Sequence, residues 1–534
     1  MQRRRPARQH IIGHLLLAAL VILPALGGIA ATGVYECDAS LKPECKIDEL
    51  VFAKLQELNI LPARVCSDEV FVRRVFLDVI GTLPTAQEAE NFILDRHPDK
   101  RRALIDRLLE RPEFADYWAM KWGDVLRIKA EFPINLWPNA AQAYHHWVRG
   151  CLERDVRYDK FARDLLTASG SNFAVPEVNF YRALQSKDPP GIAQTVALTF
   201  MGARIEKWPK PKRDELAAFF SNVGYKSTGE WKEEIVYFNR ASTNTLAVTS
   251  APKRVTFPDG TSVVVSPNED PRAVFADWLT NPKNPWFARA AVNRVWSWLS
   301  GRGIIQESDD IRPDNPPVNP ALLAYLENEL VSSNFDLKHI YRLILNSKTY
   351  QLSAIPSSKD PIAAANFAFY PLRRLDAEVL IDAVDQITGT TETYSSAIPE
   401  PYTFIPSGER SIALPDGSIT SSFLEMFGRS PRDTGLESER NNRASAEQRL
   451  HWLNSSHIQR KLEDSSLLKL QMQAKETPRQ IATGSYLTIL SRFPTEKELR
   501  IAEAYFQTTN TVKRDAAIDL AWALFNSPEF LYRH

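Results

Sequence analysis

Asn284–Ile304 reads NPWFARAAVNRVWSWLSGRGI, and its periodicity decides the fold. At roughly 100° per residue it is a helix from about Trp286 to Leu299. Phe287, Ala288, Ala291, Val292, Val295, Trp296, Trp298 and Leu299 share one half of the cylinder. Arg289, Asn293 and Ser297 fall on the other side, with Arg294 at the seam. Pro285 suits the first turn, where its missing N–H goes unused, and Gly301 and Gly303 are a natural stop. A helix apolar over half its surface has to be embedded among others. Arg294 must then meet a carboxylate or carbonyls, because an unpaired buried charge is costly. In one reading Asn293 and Arg294 tie neighbouring helices together. In the other, Arg294 sits in a cleft and binds an anion.

Working outward, the chain is mainly α and multi-helical. On the N-terminal side, helices are expected over 47–58, from Ser67 to Gly81, after the capping box Thr85-Ala86-Gln87-Glu88, over 99–110, from Pro112, and over 140–152 and 159–168. A long apolar helix from Pro190 to about Ala203 and a last one over 212–223 complete this half. Residues 235–238, 245–248, 254–257 and 262–266 are β-rich, and Pro258-Asp259-Gly260 is a hairpin turn. Helices resume at Pro271. An αα-hairpin follows over 321–331 and 337–346, then a linker over 353–366 and a helix over 376–388. Helices over 445–462, 478–490, 496–507 and 512–526 finish the chain. The organisation is therefore an N-terminal helical domain (47–223), a small β insert (224–270, its hairpin near 234–266) and a C-terminal helical domain (271–534). The last contains an irregular stretch over 390–440, rich in Pro, Ser and Gly; such loops are usually functional or partly disordered.

Lys+Arg and Asp+Glu both number 65 in 534 residues, so the basic excess of a nucleic-acid-binding domain is missing. Residues 1–31 form a signal peptide or an anchor. Arg3, Arg4, Arg5 and Arg8 precede an apolar run from Ile11 to Ala31, and Gly28-Ile29-Ala30 offers a cleavage site. The protein is thus expected to be exported, to the periplasm or cell envelope, touching a membrane only through this segment if it stays uncleaved. Export permits disulfides. Of Cys37, Cys45, Cys66 and Cys151, the first two flank a short polar loop and are the candidate pair. No Cys-x-x-Cys occurs, so neither a zinc ribbon nor a c-type haem is expected.

One pattern repeats. Leu83-Pro84-Thr85-Ala86-Gln87-Glu88 is echoed by Phe493-Pro494-Thr495-Glu496-Lys497-Glu498, and Arg111-Pro112-Glu113-Phe114 by Ser527-Pro528-Glu529-Phe530. The Pro-to-Pro gaps are 28 and 34 residues, so this is one helical-hairpin module used at both ends and not a tandem solenoid.

The run Phe71-Val72-Arg73-Arg74-Val75-Phe76-Leu77-Asp78-Val79-Ile80-Gly81, with its Leu-Pro-Thr and Lys100-Arg101-Arg102, resembles the first of two paired domains of unknown function. Those domains occur in exported cytochrome-associated proteins of planctomycete-type bacteria. Residues 284–303, Tyr350, Arg373-Arg374-Leu375-Asp376-Ala377-Glu378 and Asn526-Ser527-Pro528-Glu529-Phe530 resemble the second. The resemblance implies that relatives carry Cys-x-x-Cys-His after a Phe-x-Gly, to tether haem. Here Phe200-Met201-Gly202 is followed by Ala203-Arg204-Ile205-Glu206-Lys207-Trp208-Pro209, with neither thiol nor imidazole. The scaffold is implied and the haem is not; no cofactor and no metal site is expected.

Arg373, Arg374, Asp376, Glu378 and Asp382 gather at a helix start. Asp376 is placed to cap it, the acids suit its dipole, and the group reads either as a salt-bridge network or as weak catalytic candidates. A second polar concentration runs from Arg440 through Arg443, Ser445, Gln448 and His451 to His457; its Arg443 joins Arg294 as an anion-binding candidate. His451 and His457 are six apart and do not share a helix face. His145-His146 reads as packing at a helix edge. Trp118, Trp122, Trp137 and Trp147 read as aromatic core, with a sugar-binding cleft as the alternative. No nucleophile elbow, P-loop, dinucleotide loop or His-Glu-x-x-His is present. The expectation is a haem-free scaffold or interaction protein with a protein partner in the envelope. The alternative is a periplasmic enzyme acting on polysaccharide, with the 373–382 cluster and the 390–440 loop at its cleft.

Overall fold

The structure, a computed structural model, describes residues 33–240, 252–508 and 513–534. The expected leader over 1–31 and the expected strand over 245–248 lie outside them. The described chain is mainly α, with sheets of only two or three short strands.

The central helix spans Phe287–Ser300 and is buried almost all round: Asn293, Arg294 and Ser297 are as enclosed as Val295 and Trp296. Only Arg289 keeps to the polar side, paired with Glu327 at 2.7 Å. Asn293 is buried because it staples the following turn, donating to the Ile305 carbonyl and accepting from the Ile305 N–H. Arg294 donates to the carbonyls of Thr199 and Leu198 at 2.8 and 3.2 Å. Pro285 lies just outside the helix, where the Asn284 side chain accepts from the N–H groups of Trp286 and Phe287. Gly301 ends it at φ 80°, a left-handed conformation that a Cβ disfavours. The helix packs on Pro320–Ser332 and Leu337–Asn346 of its own domain and on Ala197–Met201 of the N-terminal domain. Trp298 meets Trp118 and Trp122 of helix Pro112–Val125, each at 5.4 Å between ring centroids. Burying such side chains stabilises by roughly 1.5–3 kcal/mol each, so one continuous core joins both domains.

Several boundaries shift for local reasons. The long helix from Pro190 is Pro189–Val196 followed by a π turn, Ala197–Met201, and stops at left-handed Gly202. The helix expected over 212–223 is Lys210–Ala218, because Val223–Ser227 is a strand. That strand and Gly170–Ser171 flank Glu234–Phe238 in a three-stranded antiparallel sheet. The insert is therefore rooted in the N-terminal domain, with Lys253–Thr256 and Ser262–Val265 as a separate hairpin. Residues 445–462 form two helices, Ala446–Asn454 and Ser456–Glu463, broken at Ser455, whose hydroxyl caps the second. Ser466–Gln473 is a further helix.

The repeated module is real in three dimensions. Thr85/Glu88 and Thr495/Glu498 make the same reciprocal bonds at their helix starts. In each copy one arginine joins the capping glutamate to the glutamate of Pro-Glu-Phe. Arg111 reaches Glu88 and Glu113 at 2.8 and 2.6 Å; Arg492 reaches Glu498 and Glu529 at 2.8 and 2.5 Å.

Candidate functional site

Helix Pro112–Val125 buries its Trp and Phe side chains but carries Lys121 and Asp124 on one edge. That edge faces strand Arg373–Arg374, the start of helix Ala377–Thr388, and Arg440 at the end of the irregular stretch. Between them lies a cavity of about 180 Å³. The central helix contributes Arg294, Ser297 and Trp298 to its wall.

Asp376 occupies the N-cap position of its helix, but its side chain makes no capping bond. Its carboxylate accepts from Lys121 at 2.8 Å, from Arg533 at 3.0 Å and from the Asn442 amide at 2.8 Å. Burial alone would raise its pKa, but Lys121, Arg533 and Arg440 hold it well below the usual carboxylate range. Arg440 forks between Glu378, at 2.6 and 3.0 Å, and Asp124 at 2.7 Å. Burial works against its charge, yet Asp124, Glu378 and Asp376 raise its pKa well above the ordinary value. Arg432 closes on the far side of Asp124 at 2.9 Å. Arg533 continues to Asp78, which also accepts from the hydroxyls of Tyr350 and Tyr370.

The structure thus brings Arg294, Arg373, Arg374 and Asp376 to one cavity, with Glu378 behind it through Arg440. Asp382 goes elsewhere. It lines a second recess of about 320 Å³ and accepts the N–H groups of Ser411 and Ile412 at 2.7 and 3.1 Å. Burial pushes its pKa up to about 6, opposed by Arg410 and those two N–H groups. Both oxygens hold the irregular stretch in place. Arg443 is exposed and lies outside the cavity wall. Arg373 caps the central helix, donating to the carbonyls of Trp298 and Leu299. Arg374 donates to the Gln448 side-chain oxygen and stacks over Phe427. Lys121, Asp124, Asp78 and Arg533 were missed in the sequence. The available signal was the charge of Lys121 and Asp124 among the Trp, Met and Val side chains of that helix.

The cavity wall carries six cations (Lys121, Arg294, Arg373, Arg374, Arg440, Arg533) against four carboxylates (Asp124, Asp309, Asp376, Glu437). Of the cations, Arg294 and Arg374 have carbonyl or amide partners and no carboxylate among the described residues.

The other predicted groups resolve differently. All four cysteines are free. Cys37 sits in a strand beside Cys66 and donates to its carbonyl, while Cys45 turns to Asp48, so the Cys37–Cys45 bridge is not formed. His451 and His457 do meet, ring nitrogens 3.4 Å apart, because the break at Ser455 folds one helix onto the next. His457 is also within 2.9 Å of Glu392. Among the described residues no group of three or more His, Cys, Asp or Glu is placed to hold a metal. The segment after Gly202 does not fit haem: Ile205 is buried, and Arg204 is paired with Glu307 and Asp309 at 2.6 and 2.5 Å. All four thiols are on other segments. Trp118 and Trp122 are core, and Trp147 stacks on Phe161. Trp137 is different. It stands at the surface, 6.3 Å from Trp231 and 5.3 Å from Tyr402 between ring centroids, with Lys232 over both indoles.

Comparison with curated proteins and with solved structures finds no match to the chain. Two family descriptions do match: "PSCyt2: Protein of unknown function (DUF1549)" over residues 46–221, and "PSD1: Protein of unknown function (DUF1553)" over residues 271–506. The first match is followed by the second, with a shared core between them, so the chain has the paired arrangement of these two domains of unknown function.

Proposed function

We propose that this chain is an exported, haem-free envelope protein that works by binding a protein partner. One observation carries the reading. Three segments distant in sequence place Trp137, Trp231 and Tyr402 side by side at the surface, where Trp231 is 68% and Tyr402 48% exposed. Phe132 and Phe404, on two of the same segments, are 80% and 66% exposed. The Ala397 N–H donates to the Glu131 side chain and ties those segments together. Large rings left in water cost solvation free energy, and Trp and Tyr are the residues that dominate protein–protein contacts. The leader-like sequence over 1–31 supports export. The Arg204 ion pairs, where relatives are expected to tether haem, support a role without electron transfer. The carboxylates that suggested catalysis at Asp376, Glu378 and Asp382 are each engaged by cations or N–H groups and serve the packing.

The test is affinity purification from the native envelope with the full chain and with Trp231→Ser/Tyr402→Ser, alongside thermal melts of both. The expected result is a stoichiometric partner recovered by the parent and lost by a double variant of unchanged Tm. Recovery that ignores the substitutions, or a bound glycan with no protein, sinks the reading.

A further inference from the structure

The charge in the inter-domain cavity does not balance. Six cationic side chains face four carboxylates, an excess of two positive charges. Widening the circle does not cancel it. Arg429 and Arg432 stand behind the wall, as do Glu378, Asp78 and Asp416, which leaves a positive excess. Adding Arg204 brings in Glu307 as well. An uncompensated charge in a protein interior costs several kcal/mol, so such a site lowers its free energy by admitting an anion.

The geometry narrows the class. Arg294 and Arg374 are the wall cations with no carboxylate partner among the described residues, and each is held from behind: Arg294 on two carbonyls and over the Trp122 ring, Arg374 on Gln448 and the Phe427 ring. Such anchoring fixes planar guanidinium forks, which suit oxyanions with paired oxygens. Ser297 and Ser430 also line the wall, the Ser297 hydroxyl donating to Glu437. A cavity of about 180 Å³ admits a small polar group and excludes an extended chain. Glu437 is held by the hydroxyls of Ser297 and Ser308.

We infer that this cavity binds a small doubly charged tetrahedral oxyanion of the phosphate class, either the free ion or a phosphate monoester carried on an envelope component. The site is independent of the aromatic patch.

The experiment is a thermal-shift and ³¹P line-broadening titration of the full-length protein with inorganic phosphate, methyl phosphate, malonate and sodium chloride at matched ionic strength. Phosphate ~100-fold above its Kd is expected to raise Tm by about 2–4 °C in a saturable way, with no such rise in chloride. Arg374→Gln removes one fork. Leu436→Glu, on a half-buried loop residue of the wall, adds a negative charge without touching any cation. Each is expected to weaken phosphate binding at least tenfold. Methyl phosphate binding like phosphate assigns the ligand to an ester, and exclusion of methyl phosphate assigns it to the free ion. A malonate effect equal to that of phosphate, a chloride effect of the same size, or unchanged affinity in both variants overturns the inference.

Discussion

Asp376 and Arg533 are 157 residues apart in the chain and 3.0 Å apart in the fold, both buried and both also bonded to a third charged residue. Removing one member of such a network strands the others. Asp376→Asn keeps the shape but leaves Lys121 and Arg533 without their shared anion. The expected loss is about 3–5 kcal/mol in chemical denaturation. Glu327→Gln, which breaks the outer pair with Arg289, is the control and should cost under about 1 kcal/mol. Equal losses from the two would show that the buried network is not what holds the domains together.

Gly301 is a second sensitive point. Its φ is 80°, and an added Cβ would lie 2.5 Å from Cδ of Arg373, the side chain that caps the central helix. Gly301→Ala combines a left-handed backbone with that clash, and about 1–2 kcal/mol or more should be lost. A melt unchanged from the parent would contradict the cap geometry.

Acid sensitivity follows from His145, whose ring is buried with neither nitrogen hydrogen-bonded among the described residues. Burial lowers its pKa to about 3, with Arg432, His146 and Arg149 adding to the effect. Unfolded, it would titrate near 6.5. Below that pH the unfolded chain takes up a proton that the folded chain refuses, so stability is present above pH 6.5 and is lost as pH falls toward 3. By pH 5 the loss is about 2 kcal/mol from this residue. Comparing Tm against pH for the parent and His145→Leu isolates the contribution. Parallel curves between pH 6.5 and 5 would mean that His145 is not held neutral.

Deleting residues 530–534 should be worse than any single substitution. Phe530 is fully buried, Arg533 serves Asp78 and Asp376, and the His534 carbonyl accepts from Arg74. A loss above about 5 kcal/mol is expected, read as rapid limited proteolysis of helix Asp68–Val79. Retained protease resistance in that helix would refute the coupling.

Much of this fold was legible because its signals are local. The Thr85 capping box, the Ser67 cap, the Pro112 start and the Asp259-Gly260 turn each depend on residues within one turn of each other. The central helix was legible as a helix but not in full as a buried one: Asn293 and Ser297 look like a polar face until Ile305 and Glu437 are seen against them. The strand Gly170–Ser171 pairs with Val236 and Ile235, too far along the chain for local patterning to reveal. The cluster at 373–382 was recognisable as charged. Its division between two recesses was not, because the partners of Asp376 come from Lys121 and Arg533, while those of Asp382 come from the irregular stretch.

Arg73 and Arg74 sit adjacent on helix Asp68–Val79, buried to the last few per cent, and their donors point to carbonyls of Ile489, Phe530, Tyr350, Leu352 and His534. Every acceptor lies in the second half of the chain, two of them beyond the stretch that matches its family. A polypeptide is made from its N-terminus onward. The helix that emerges early therefore carries two guanidinium groups whose acceptors are made only later, from Tyr350 through to His534. The domain delivered first is the domain completed last, and in the meantime it needs water or a holding partner for those charges.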